Sequence, residues 1–79
     1  TEFPYFIGKI KGGVDGVISD PSISRIHAKL IERENSIYLA DLGSLNGTYV
    51  NNILLLPHTE YPIKEEDKIK FATITFTFQ

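Results

Sequence analysis

Residues 25–42 read RIHAKLIERENSIYLADL, and this stretch decides the fold class. Ile26, Ala28 and Leu30 alternate with Arg25, His27 and Lys29. A period of two is the signature of a β-strand with one buried face, because successive side chains point to opposite sides. Glu34-Asn35-Ser36 then offers a hairpin turn, and residues 37–42 read as the returning strand.

The same pattern extends in both directions. Upstream, residues 3–8 form an aromatic and apolar run, which Gly8, Gly12, Gly13 and Gly16 break up. Val17-Ile18 is a brief apolar piece closed by Ser19-Asp20-Pro21-Ser22. Downstream, residues 43–47 form a polar loop bounded by glycines, and Thr48-Tyr49-Val50 resumes extended structure. Asn51-Asn52 suits a tight hairpin turn, since asparagine tolerates positive φ. Residues 53–56 follow as a strand stopped by Pro57. Ile69 and Phe71 alternate with Lys68 and Lys70, and Ile74, Phe76 and Phe78 alternate with Thr73, Thr75 and Thr77. β-Branched and aromatic residues of this kind fit a pleated, half-buried surface. Residues 63–69 have some helical spacing, but Lys64-Glu65-Glu66-Asp67 reads better as a solvated, charged turn, and no segment makes a convincing helix. Many short strands separated by turn residues predict an all-β sandwich or barrel.

Bulk properties narrow the function classes. With 79 residues the chain is read as a single domain over residues 1–79, with a thin core. Its 42% hydrophobic content is enough apolar surface to offset chain entropy, which excludes a disordered tail. There is no cysteine for a disulfide or a thiolate metal site, and His27 and His58 lack metal-ligand spacing. No metal or cofactor is therefore expected. No apolar run approaches the ~20 residues that cross a bilayer, and no signal-peptide pattern opens the chain, so an intracellular location is expected. The net charge of −2 disfavours nucleic-acid binding, which calls for a basic excess. Any anion site must be local, and the basic sets are Lys9 with Lys11 and Arg25 with Lys29.

Three inter-strand loops collect the polar chemistry: Gly8-Lys9, residues 22–27, and residues 44–48. The pieces Ile7-Gly8-Lys9, Ser24-Arg25-Ile26-His27-Ala28, Asp41-Leu42-Gly43-Ser44 and Asn46-Gly47-Thr48-Tyr49-Val50-Asn51 resemble the forkhead-associated (FHA) family. The order and gaps match over most of the chain. The resemblance implies a two-sheet antiparallel β-sandwich whose loops at one end bind a phosphothreonine peptide. The family normally has further strands before the Ile-Gly segment, so either those strands lie outside this stretch of sequence or the fold lacks its first strands. An edge left open in that way favours dimerisation or strand exchange, and the oligomeric state stays open.

Residue by residue, the resemblance implies a phosphate-binding set of Lys9, Ser24 and Arg25. Ser24 matches the serine whose hydroxyl and backbone donate to the phosphate. Arg25 matches the second phosphate-contacting position. Lys9 stands where the family usually has arginine, and supplies charge without a bidentate fork. Leu45 and Asn46 make up the peptide-binding pair. Asn46 bonds the peptide backbone, and Leu45 replaces a common threonine or serine. Gly8, His27, Gly47 and Asn51 are read as supports of the loops and hairpin, while Glu66 and Ala72 replace residues that are usually glycine. A phosphothreonine carries about −1.5 to −2 charge and strong acceptors, and so needs cations and donors at fixed separations.

The expected function is that of an adaptor for threonine-phosphorylated proteins, without catalysis. A phosphate-independent interaction module on the same scaffold is the alternative, motivated by Lys9 and Leu45. Ser24, His27 and Asp41 supply the residue types of a hydrolase triad. However, no Gly-x-Ser-x-Gly elbow occurs, and on a strand Ser24 and His27 would face opposite sides.

Overall fold

The computed structural model describes residues 2–79, which form nine β-strands and no helix. The strands are β1 (Tyr5–Gly8), β2 (Gly16–Val17), β3 (Ala28–Arg33), β4 (Ser36–Asp41), β5 (Thr48–Val50), β6 (Ile53–Leu54), β7 (Tyr61–Ile63), β8 (Lys68–Phe71) and β9 (Ile74–Thr77). They build two sheets, ordered β2-β1-β3-β4-β7 and β6-β5-β8-β9. Pairing is antiparallel throughout except for β1 with β2, which run parallel. The expected two-sheet sandwich is the observed one.

Local chemistry explains the turns. Glu34-Asn35 and Asn51-Asn52 all take positive φ, between 50° and 69°. Two successive positive-φ residues make the turn whose twist matches that of paired strands. Glu66 and Ala72 also sit at positive φ, 76° and 57°. The backbone shape that glycine usually provides is therefore kept, at some steric cost.

The core lies between the sheets. Ile7, Ala28 and Leu39 from the first sheet meet Val50, Ile69 and Phe71 from the second, and Ile23 closes one end. His27 joins them: its ring stands edge-on to Phe71, with centroids 5.7 Å apart.

Three readings from the sequence need correction. The alternation in residues 25–30 does not make one strand, because β3 begins only at Ala28. Residues 24–27 are a loop in which Ile26 is 49% exposed and His27 fully buried. Residues 53–56 give a strand of two residues only, with Leu55 buried and its three apolar neighbours exposed. The 64–67 turn is not fully solvated, since Asp67 is buried. β7 went unread because Pro62 lies within it. A proline fits there because β7 is an edge strand.

At the other margin β9 is an edge, and an apolar groove of about 320 Å³ runs between Tyr5, Ile7 and Leu30 on one side and Phe76 and Phe78 on the other.

Candidate functional site

The site stands at the end of the sandwich where β1 and β4 finish and β3 and β5 begin. Gly8 sets the closest approach. A Cβ there would collide with the Arg25 carbonyl, so only glycine lets β1 reach the 24–27 loop. The contact is then fixed by the Lys9 N–H, which donates to the carbonyls of Ser24 and Arg25, both at 3.0 Å. The first loop is in this way bonded directly to the second.

The second loop is bonded to the third. The Leu45 N–H donates to Ser24 Oγ at 3.0 Å, and Asn46 Nδ2 donates to the Ser22 carbonyl at 2.8 Å. Ser22 is itself held by Asp20, whose Oδ1 accepts from the Ser22 N–H and hydroxyl. Those bonds, the hydroxyl foremost, hold the Asp20 carboxyl below its ordinary value.

His27 ties the loops from beneath. Its Nδ1 accepts from the Ser24 N–H at 3.1 Å, which places the ring proton on Nε2. Nε2 then donates to the Gly47 carbonyl at 2.9 Å. That carbonyl also accepts from the Ala72 N–H. Gly47 takes φ +88°, and a Cβ there would crowd Leu54 Cδ1 at 2.8 Å.

Asp41 is the hub of the third loop. Its Oδ1 accepts from the hydroxyls of Ser44, at 2.5 Å, and Thr48, at 2.6 Å. Its Oδ2 accepts from the N–H groups of Gly43 and Ser44, both at 3.0 Å. Ser44 Oγ in turn accepts from the Gly47 N–H. Burial raises the Asp41 pKa, but the two hydroxyls and two amides outweigh it and hold the group below its ordinary value. The sequence reading missed this role for Asp41, Ser44 and Thr48. The available signal was Asp-x-Gly-Ser spacing, which favours a carboxylate bonding the backbone two residues on.

The sandwich therefore brings Lys9, Ser24, Arg25, Leu45 and Asn46 to one rim. Among the described residues, the Lys9 ammonium and the Arg25 guanidinium enter no ion pair; both residues are exposed. Ser24 Oγ uses a lone pair on Leu45, so its proton is left to donate outward. Asn46 donates inward, so its Oδ1 is left to accept. The backbone N–H of Ser24 is already given to His27, leaving the hydroxyl as that residue's outward donor. Asn51 lies elsewhere, at the far end of β5. It clasps the 64–67 turn through Asp67 and the Lys68 N–H rather than the 22–27 and 44–48 loops.

The triad geometry is not assembled. Both ring nitrogens of His27 are bonded to main chain, and Asp41 is bonded to Ser44, Thr48 and Gly43. Among the described residues no group of three or more His, Asp or Glu side chains is placed to hold a metal ion. No helix of the described chain is long and apolar enough to cross a membrane.

Comparison with known proteins agrees with this arrangement. The chain is 36% identical over 81 residues to Smad nuclear-interacting protein 1 of Mus musculus, covering 86% of this chain and 21% of that protein. It spans about a quarter or less of the length of the first curated relatives it matches. Among solved structures, the crystal structure of the FHA domain of the CT664 protein from Chlamydia trachomatis matches with a TM-score of 0.83 and 34% identity, covering 92% of this chain and 72% of that one. Mycobacterium tuberculosis EmbR, solved in complex with a low-affinity phosphopeptide, matches with a TM-score of 0.85 and 27% identity, covering 95% of this chain and 19% of that one. The family model for the FHA domain matches residues 5–72, and the chain belongs to that family.

Proposed function

We propose that this FHA domain, residues 1–79, binds segments of intracellular proteins phosphorylated on threonine, and acts by recruitment rather than catalysis. One observation carries the reading. Three loops are bonded together so that a hydroxyl proton, an amide oxygen and two cations emerge on a single rim. Ser24 and Arg25 donate to phosphate oxygens, with Lys9 as a point charge beside them. Asn46 Oδ1 accepts from the peptide backbone next to the phosphothreonine. The solved EmbR complex, which holds a phosphopeptide, supports the same reading. A fitted pocket for the threonine methyl group, as the family resemblance implies, would favour threonine over serine by about 1–3 kcal/mol. Binding without catalysis agrees with His27, whose ring nitrogens are both occupied.

Isothermal titration of a phosphothreonine peptide, its phosphoserine form and its unmodified form tests this. Affinity should fall in that order. Ser24→Ala should lower affinity roughly tenfold to a hundredfold, since hydrogen bonds to charged groups contribute about 1.5–3 kcal/mol. Equal affinity for phosphorylated and unmodified peptides would instead favour a phosphate-independent module, the reading that Lys9 and Leu45 motivate.

A further inference from the structure

Gly47, the neighbour of Asn46, is held from two sides. On the inner side its carbonyl accepts from His27 Nε2 and from the Ala72 N–H. On the outer side stand side chains to which phosphate recognition gives no role. Thr48 and Val50 are buried, so Tyr49 between them points away from the core. Ile69 and Phe71 are buried, so Lys70 between them does the same. Strand register sets Lys70 of β8 opposite Tyr49 of β5, and Leu54 of β6 opposite Tyr49 on its other flank. Leu54, Tyr49 and Lys70 thus form one row across the outer face of three neighbouring strands.

The row ends on the loop that carries Asn46. Lys70 Nζ lies over the Tyr49 ring, 4.4 Å from its centroid. A cation in that place is attracted to the ring face and limits the ring's freedom to turn. The ring in turn reaches Gly47, where a Cβ would lie 3.3 Å from Tyr49 Cε1 and 2.8 Å from Leu54 Cδ1. The glycine leaves a slot that these two side chains fill. Glycine at φ +88° resists backbone rotation weakly by itself, so the backing matters most there. The segment beside Asn46 cannot swing outward without displacing the ring.

We propose that Tyr49, seated by Lys70, is a positioning residue for phosphopeptide binding. It backs Gly47 from outside the sheet while His27 holds it from within. Asn46 Nδ2 then stays bonded to the Ser22 carbonyl, and Asn46 Oδ1 stays turned outward. The effect on binding rests on the phosphothreonine reading, whereas the hold on Asn46 exists without ligand.

Two measurements test this: titration calorimetry with a phosphothreonine peptide, and the ¹⁵N order parameter of the Asn46 side-chain amide in the ligand-free domain. Tyr49→Leu keeps apolar bulk but removes the ring. It should lower the order parameter and weaken affinity about tenfold, the worth of one hydrogen bond. Tyr49→Phe keeps the ring and should behave as wild type in both. Lys70→Gln removes the cation above the ring and should weaken affinity about threefold. Lys68→Gln removes the same charge from the next outward position, where Nζ is bonded to Thr77, and should leave affinity unchanged. Thermal melts check the fold, and should Tyr49→Leu not fold, Lys70→Gln against Lys68→Gln decides. Wild-type order and affinity in Tyr49→Leu would overturn the proposal. So would a Tyr49→Phe as weak as Tyr49→Leu, or equal losses from the two lysine variants. If the wild-type domain binds phosphorylated and unmodified peptides alike, the phosphothreonine reading fails, and the order parameter alone decides whether Tyr49 holds Asn46.

Discussion

Two buried aspartates organise the two ends of this sandwich, and they do it differently. Asp41 gathers two hydroxyls and two amides within the 41–48 loop, beside the 24–27 loop. Asp67, at the opposite end, gathers the Lys64 N–H at 3.0 Å and Asn51 Nδ2 at 3.1 Å, with the Lys64 ammonium at 3.7 Å. The far end closes on itself, as Asn51 Oδ1 also accepts from the Lys68 N–H and Lys68 Nζ donates to Thr77 Oγ1. The near end does not, because the Ser24 proton, Asn46 Oδ1 and two cations remain unspent above the Asp41 hub. The difference teaches that the near end is a set of braced turns whose outer polar groups are left over once the brace is satisfied.

The comparison is most open to breaking at the hubs. Asp41→Ala strips acceptors from four donors, and Thr48 Oγ1 is left buried without a partner. A loss of about 3 kcal/mol is expected, with a Tm drop exceeding roughly 10 °C for a domain of this size, and phosphopeptide binding lost with it. Asn51→Gly is the matched change at the far end, where glycine accepts the φ of 50° but the clasp is gone. It should cost about 1 kcal/mol, seen as a Tm drop of roughly 4–8 °C, with peptide affinity unchanged. Titration calorimetry and thermal melts on both variants separate the ends. If Asn51→Gly weakens peptide binding as Asp41→Ala does, the division between the two ends fails.

Acid gives a smaller effect that reads both hubs together. The Asp41 carboxyl is lowered against the opposing pull of burial, mainly by the Ser44 and Thr48 hydroxyls. That of Asp67 is lowered chiefly by the Lys64 N–H and the Asn51 amide. A carboxyl whose folded pKa lies below its unfolded value stabilises the fold fully above the unfolded value. That contribution is lost as pH falls through the folded one. The stability these two carboxyls supply should thus be flat from neutral pH to about pH 5 and fall below about pH 4. Asp41→Asn should make the acid slope shallower but not flat, since Asp67 still titrates. Denaturant unfolding across this pH range measures both slopes.

Much of the fold was legible because strands write their period directly. The Thr/Phe alternation of residues 73–78 and the turns at Glu34-Asn35 and Asn51-Asn52 appear where local chemistry placed them. Alternation misled at residues 24–27, where Ile26 and His27 keep the rhythm but exchange places. The reason is tertiary: His27 is drawn inside by Ser24, Gly47 and Phe71, contacts that sequence spacing does not encode. The rim residues were nameable through family resemblance. Their support was not, because a hub such as Asp41 is defined by donors that only the folded loop assembles. Residues 53–56 read as one strand for the same reason, since a run of apolar residues does not say which of them the sheet leaves outside.

The finest test of the contrast between the ends is at Lys9. Its backbone is fixed by the Ser24 and Arg25 carbonyls, so the side chain can be changed without moving the loop. Lysine offers a phosphate a compact charge, whereas arginine offers two parallel donors in a planar fork. Lys9→Arg should therefore tighten phosphothreonine binding by roughly threefold to tenfold with little change in Tm. Lys68→Arg, the same exchange at the far end, replaces a side chain already engaged with Thr77 and should leave affinity where it was. Titrations at two salt concentrations sharpen the reading, because a charge that meets the ligand is screened and one that does not has no effect to lose. Equal responses to the two exchanges would mean that Lys9 contributes only diffuse charge, and that the phosphate is held by Ser24 and Arg25 alone.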